Sequence, residues 1–187
     1  MATIRKRGKT HNVRTCSRLA HILFSPIHKA AILNPDPFRD WTAMTSNADP
    51  FDLARFVTAQ ADCYQQALME IRNGEKESHW MWFIFPQIAG LGSSVMAKRY
   101  AITSLDEATA YLHHPLLGPR LQSCCEAVLG LVDLTPMDVF GTPDDMKLQS
   151  SMTLFSRVAG ANSCFGRVLE KWYAGQPCAR TLALLGE

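Results

Sequence analysis

A polar residue followed by proline recurs along this chain, at Asp49-Pro50, Thr135-Pro136 and Thr142-Pro143. Each pair reads as a helix N-cap followed by a residue whose fixed φ suits the first helical turn and whose missing N–H costs nothing there. Ser104-Leu105-Asp106-Glu107 adds a capping box, Pro115 opens a helix through about Val132, and Asn162 or Ser163 starts another. Gly74, Gly175 and Gly186 stand where such helices stop, the last of them closing Ala179–Leu185. Strand-like alternation of apolar and polar residues between turns is absent. The expected fold is therefore all-α, a single compact domain of seven or eight short helices joined by short loops.

The charge adds a division. Nineteen Lys and Arg against seventeen Asp and Glu give a net +2. Residues 1–43 hold eight of the basic residues and two acids, a net of +6, which leaves residues 44–187 at −4. The first stretch cannot pack by itself and is expected to be a basic, poorly ordered N-terminal arm. Three readings of it stand side by side: an arm for nucleic acid or an anionic membrane, a targeting leader, or a translated upstream stretch with Met44 as the true start. Its basic residues lack the interleaved aromatics that stack bases. With 47% apolar residues, 44–187 can bury a core. No apolar run approaches the length of a membrane span, so no membrane association is expected. Six cysteines without any C-x-x-C, with Cys124 and Cys125 adjacent, are expected to be reduced and mostly core-filling thiols of a cytoplasmic protein. Neither a metal site nor a cofactor is expected.

Helical phase singles out polar residues on apolar faces. If Pro50–Arg72 is one helix, Leu53, Phe56, Val57, Tyr64, Ala67, Leu68 and Ile71 share its core face, and Gln60 falls in the middle of that face. Asp52, Arg55, Asp62, Gln66 and Glu70 lie away from it. A buried amide left without partners costs about 1–3 kcal/mol. Gln60 is therefore either a structural tie between helix and loop or the polar wall of a ligand pocket. In Pro143–Ala159, Leu148, Met152 and Phe155 mark the core side. Asp144, Lys147 and Ser151 form a polar stripe beside it, while Ser150 and Thr153 fall on the outer flank and Ser156 points elsewhere. Asp144 and Asp145 also suit the first turn of any helix. Lys147 is the more informative residue, because a half-buried ammonium requires a carboxylate or a bound anion.

His79-Trp80-Met81-Trp82-Phe83-Ile84-Phe85-Pro86-Gln87 is apolar almost throughout. Its length fits a buried strand or a short buried helix, and the helical context with Ser78 as a cap favours the helix. Most of these rings are expected in the core. The loop that follows holds Gly90, Gly92, Ser93 and Ser94 ahead of another helix, a combination suited to an anion. It is neither a P-loop nor a dinucleotide fingerprint, since no strand precedes it, and the chain has no G-x-S-x-G.

Four segments together resemble a known family: Asp49-Pro50-Phe51-Asp52-Leu53-x-Arg55-Phe56-Val57-x-x-Gln60; His79 to Gln87 with Gly90-Leu91-Gly92-Ser93; Tyr111-Leu112-x-His114-Pro115-x-Leu117-Gly118-x-Arg120-Leu121; and Phe140-Gly141-x-Pro143-Asp144-Asp145-x-Lys147-Leu148 with Ser150 to Phe155. They are similar to a small, mostly bacterial family known as domain of unknown function 1810, whose members often carry the label "calpastatin". The resemblance spans about residues 49–185 and implies an all-helical domain without an established activity. The label itself fits poorly, because calpastatin is a disordered repeat protein. A looser resemblance, in the order of Tyr111–Leu121 and Gly141–Lys147, is to the helical N-glycosidases that handle NAD-derived and ADP-ribose metabolites.

Two functions follow as expectations. In the first, the domain binds a small phosphorylated ligand, a nucleotide or ADP-ribose derivative, with N-glycosidase-like hydrolysis as its furthest extension. Gln60, Tyr64, Trp80, Trp82, Gln87, Gly90, Gly92, Ser93 and Ser151 would form one pocket, with an aromatic stacking base or sugar. Lys147 and the glycine loop would hold phosphate, and Asp144 or Asp145 would act as acid–base or oxocarbenium-stabilising carboxylate. In the second, the domain is a non-catalytic helical interaction module whose buried polar groups only fix its packing. Nucleic acid is not an expected partner of an acidic domain.

Overall fold

Cap signals in the sequence become ten helices among the described residues of this computed structural model, which are 49–187. The expectations for residues 1–43 lie outside them. The helices are α1 (Ala54–Gln60), α2 (Tyr64–Asn73), α3 (Met81–Ile84), α4 (Val95–Arg99), α5 (Leu105–His113), α6 (Leu117–Gly130), α7 (Pro136–Phe140), α8 (Asp144–Ala159), α9 (Cys164–Tyr173) and α10 (Ala179–Leu185). The described residues contain no strand, only an isolated parallel bridge between Ile88 and Ile102. The fold is all-α. No described helix is long and apolar enough to cross a membrane.

The helix count exceeds seven or eight partly because the expected Pro50–Arg72 helix is two. Asp49-Pro50 forms a turn, closed by Asp52 N–H donating to the Asp49 carbonyl (3.2 Å), with Asp52 at φ 50°. Asp49 still caps, but its carboxylate accepts from Ala54 N–H (3.0 Å), so α1 begins later than the Asp-Pro signal suggests. The helix breaks again at Ala61–Cys63. The two halves serve different neighbours, α1 packing on α3 and α2 on α6, and a single straight helix cannot present one face to both. Thr142-Pro143 also departs from its signal: α8 starts at Asp144, with Pro143 at the N-cap position and no side-chain cap. Three other signals translate directly. Thr135 and Asp138 make a reciprocal capping box on α7, Ser104 caps α5, and Ser163 caps α9. At α6 the cap is His114, whose Nδ1 accepts from both Leu116 and Leu117 N–H (3.2 Å each).

The core sits where α6 and α8 meet the others. Phe56, Tyr111, Phe155 and Phe165 form one string of ring contacts, with centroids 5.0, 5.5 and 5.6 Å apart. Trp80, Phe85 and Trp172 all pack on Phe140 at 6.1–6.2 Å. The aromatic segment thus divides: Trp80, Phe83 and Phe85 are core, and only Trp82 is half-exposed.

Two phase expectations fail for one reason. Ser150, Thr153 and Ser156, placed away from the core by periodicity, are buried on α8, and Glu70, placed on an outer face of α2, is buried too. Periodicity assumes that one side of a helix meets water. Here the irregular segment 75–80 covers α2, and the segment 176–178 with α10 covers α8. Glu70 is held by Ser78 Oγ, the Glu77 and Ser78 amides and the Trp80 indole, at 2.6–3.1 Å. Burial alone would raise its pKa. The Ser78 hydroxyl and amide, the Trp80 indole and the Glu77 amide outweigh this and bring it to about 2.

Candidate functional site

The loop after α3 is shaped by its attachments. Ala89 N–H donates to the Ile102 carbonyl and Ile102 N–H to the Gln87 carbonyl (2.8 Å each), which pins Gln87 to the core. Ser94 Oγ accepts from Ala97 N–H (3.1 Å) and starts α4. Gly92 must be glycine for this turn to close, because a Cβ there would lie 2.6 Å from the Ala97 Cβ. The loop therefore folds back over α4 and leaves a hollow between itself, the first turns of α8 and the start of α10.

That hollow is a cavity of about 530 Å³. From the loop side it is lined by Trp82, Gln87, Gly92 and Ser93, and from α8 by Lys147 and Ser150. Cys178 and Arg180 close the far side. No carboxylate lines it among the described residues.

Lys147 explains the polar stripe. Its ammonium lies 5.0 Å from the centre of the Trp82 ring and 2.7 Å from Asp144 Oδ1. The other oxygen of Asp144 binds Lys76 (2.7 Å), whose ammonium lies 5.2 Å from the Trp80 ring. Two ammoniums thus share one carboxylate beside the cavity. Burial would raise the Asp144 carboxyl, but the hydrogen bonds and charges of Lys147 and Lys76 hold it below the usual range. An aspartate so held stays ionised near neutrality and is a poor proton donor.

The expected site residues separate into two groups. Trp82, Gln87, Gly92, Ser93 and Lys147 line the one cavity. Gly90 is exposed on the same loop, where an added Cβ would lie 3.1 Å from the Leu184 side chain of α10. Asp144 stands behind Lys147. The remaining residues are placed elsewhere. Gln60 is buried; its Nε2 donates to the Phe83 carbonyl (2.7 Å) and the Tyr111 hydroxyl (3.0 Å), and its Oε1 accepts from Arg120 (3.3 Å). Its amide is consumed by structure. Tyr64 packs beneath the Arg120 guanidinium at 4.6 Å, and Trp80 is buried against Glu70. Asp145 does not line the cavity; its carbonyl accepts from the Tyr173 hydroxyl (2.7 Å), and its Oδ1 is buried without a partner. Ser151 Oγ is likewise buried and unpartnered.

Several lining residues escaped the sequence reading, among them Gln149 and Ser150 of α8 and, more distant in the chain, Cys178 and Arg180. Arg180 and Cys178 come from the last helical segment, far along the chain. The available signal was Cys178 at the N-cap of Ala179–Leu185, a position known to perturb thiols. The expectation of core-filling cysteines holds for Cys124 and Cys125, whereas Cys63, Cys164 and Cys178 are only half-buried.

No curated protein matches the chain. Among solved structures, the crystal structure of the conserved hypothetical protein Rv1873 from Mycobacterium tuberculosis is similar, with 54% sequence identity and a TM-score of 0.73. The match covers 74% of this chain and 99% of that one. Residues 50–185 match the family described as "Protein of unknown function (DUF1810)", so the chain carrying this helical domain belongs to that family.

Proposed function

We propose that the domain binds a small phosphorylated ligand, a nucleotide or ADP-ribose derivative, in the cavity between the Gly92–Ser93 loop and α8. The observation that carries this reading is the meeting of two cationic side chains, Lys147 and Arg180, in a concave site with no lining carboxylate among the described residues. Asp144 and Trp82 fix the ammonium of Lys147 in place, and the ligand phosphate takes its remaining donor capacity. Because Lys147 already lies against Trp82, the ring serves first to hold the cation, and a base or sugar meets it at the edge left open. N-glycosidase-like hydrolysis is the weaker extension of the reading, since Asp144 is tied to two lysines and Asp145 does not line the cavity. A reduced, cytoplasmic setting goes with the proposal.

The test is a thermal-shift series on the full chain with ADP-ribose, nucleoside mono- and diphosphates, pyrophosphate and inorganic phosphate. A ligand at a hundred times its Kd stabilises by about 2.7 kcal/mol. At least one phosphorylated compound is expected to raise the Tm, and Lys147→Gln and Arg180→Gln are each expected to remove most of the rise. The interaction-module reading keeps one supporting observation. Met146, which lines the cavity, Val95 (81% exposed), next in the chain to the lining Ser94, and Leu184, near Gly90, are exposed apolar side chains. No shift with any compound of the series would favour that reading.

A further inference from the structure

Cys178 is held more firmly than a surface cysteine. Its N–H donates to Thr153 Oγ1 (2.8 Å), and that hydroxyl in turn donates to the Gln149 carbonyl (2.8 Å), so its backbone is fixed to α8. Ser150 Oγ lies 3.3 Å from its sulfur. Thr181 Oγ1 is fully buried, makes no close hydrogen bond, and faces the same thiol. Cys178 lines the same cavity as Lys147 and Arg180. Two hydroxyls therefore face the sulfur of a residue that shares its cavity with two cations, which is the environment of a thiolate.

We propose that Cys178 is a modification site of this cavity, forming a mixed disulfide with a small anionic disulfide such as glutathione disulfide. The Cys178 thiol gives its proton to water, and the resulting thiolate attacks one sulfur of the disulfide. The new Sγ–S bond forms as the S–S bond breaks, and the departing thiolate takes a proton from water. Cys178 is oxidised, and one half of the disulfide is reduced. Lys147 and Arg180 attract the carboxylates of the incoming molecule. The inference rests on the reading of the cavity as anion-accepting.

The other described thiols do not share the cavity with Lys147 and Arg180. Burial pushes Cys124 up to about 12 and holds Cys125 well above an ordinary thiol. Burial also raises Cys63. Cys164 is lowered by its hydrogen bond with Cys125, but it does not line the cavity. For Cys178, burial acts upward, and the Ser150 and Thr181 hydroxyls with the Thr181 and Arg180 amides act downward by more, so it titrates below an ordinary cysteine.

The experiment is timed labelling of the folded full chain with iodoacetate, which is anionic, and iodoacetamide, which is neutral, followed by peptide mass mapping. Glutathione disulfide is run in parallel. Cys178 is expected to label at least several-fold faster than Cys63 and Cys164, with a pH midpoint that rises in Ser150→Ala. Its iodoacetate-to-iodoacetamide ratio is expected to fall several-fold in Lys147→Gln, and the glutathione adduct is expected on Cys178. Labelling no faster than at Cys63, or a ratio unchanged in both Lys147→Gln and Arg180→Gln, would overturn the proposal. Failure of the phosphorylated-ligand reading looks different: the thermal shifts vanish while Cys178 still labels as expected.

Discussion

Gln60 and Glu70 show how a buried polar residue is told apart from a site residue. Each is buried with its polar atoms bonded by the protein, so neither is turned toward a ligand. Gln60→Leu is expected to lower stability by about 1–3 kcal/mol, because the Phe83 carbonyl, Tyr111 and Arg120 lose a buried partner. Chemical denaturation reads the loss, and any ligand-induced Tm rise should persist. For Glu70 the sign is set by a folded pKa of about 2 against an ordinary 4.5. Its contribution is complete above about pH 4.5 and disappears as the pH falls toward 2, a change of about 3 kcal/mol. Unfolding free energies at pH 5, 4, 3 and 2 should therefore fall more steeply for the wild type than for Glu70→Gln. Parallel curves would contradict this role. The sequence marked Gln60 by its phase, but the partners that decide its role lie 23, 51 and 60 residues away. Glu70 was invisible for a related reason: the segment that buries it has no period of its own.

Helix identity was legible at the scale of the element, and helix surroundings were not. Cap chemistry is local, so Thr135, Ser104 and Ser163 announce their helices within four residues. Which faces are covered depends on the packing of other elements, as at α8, where the C-terminal segment hides Ser150 and Thr153. The two glycines of α6 give a test with opposite signs. Gly118 allows a close approach, since a Cβ there would meet the Leu112 carbonyl oxygen at 2.0 Å. Gly130 ends the same helix, exposed, and a Cβ added there would have nothing within 4 Å. Gly118→Ala is expected to destabilise by about 1–3 kcal/mol through overpacking. Gly130→Ala is expected to be neutral or to stabilise by up to about 1 kcal/mol through helix propensity. Denaturation midpoints of the two variants check the pair, and equal effects would refute the packing argument.

Across the whole molecule, the net +2 conceals an acidic domain whose cavity is nevertheless basic. Lys147 was found from its phase alone. Arg180 and Cys178 were not, because they reach the site from the C-terminal helix, and nothing local connects that helix to the Gly92–Ser93 loop. Charge in a partly open cavity is screened by salt, so affinity for a phosphorylated ligand should fall as ionic strength rises above about 0.15 M, where the Debye length is about 8 Å. The most direct measurement of the central claim is a titration of isotopically labelled protein with ADP-ribose, a nucleoside monophosphate and inorganic phosphate, followed by amide chemical shifts. The account predicts saturable shifts concentrated at Gly92–Ser94, Lys147 and Cys178–Arg180, with the amides around Gln60 and Tyr64 unmoved. Shifts clustered at Gln60 and Tyr64, or none at all with every compound, would contradict it.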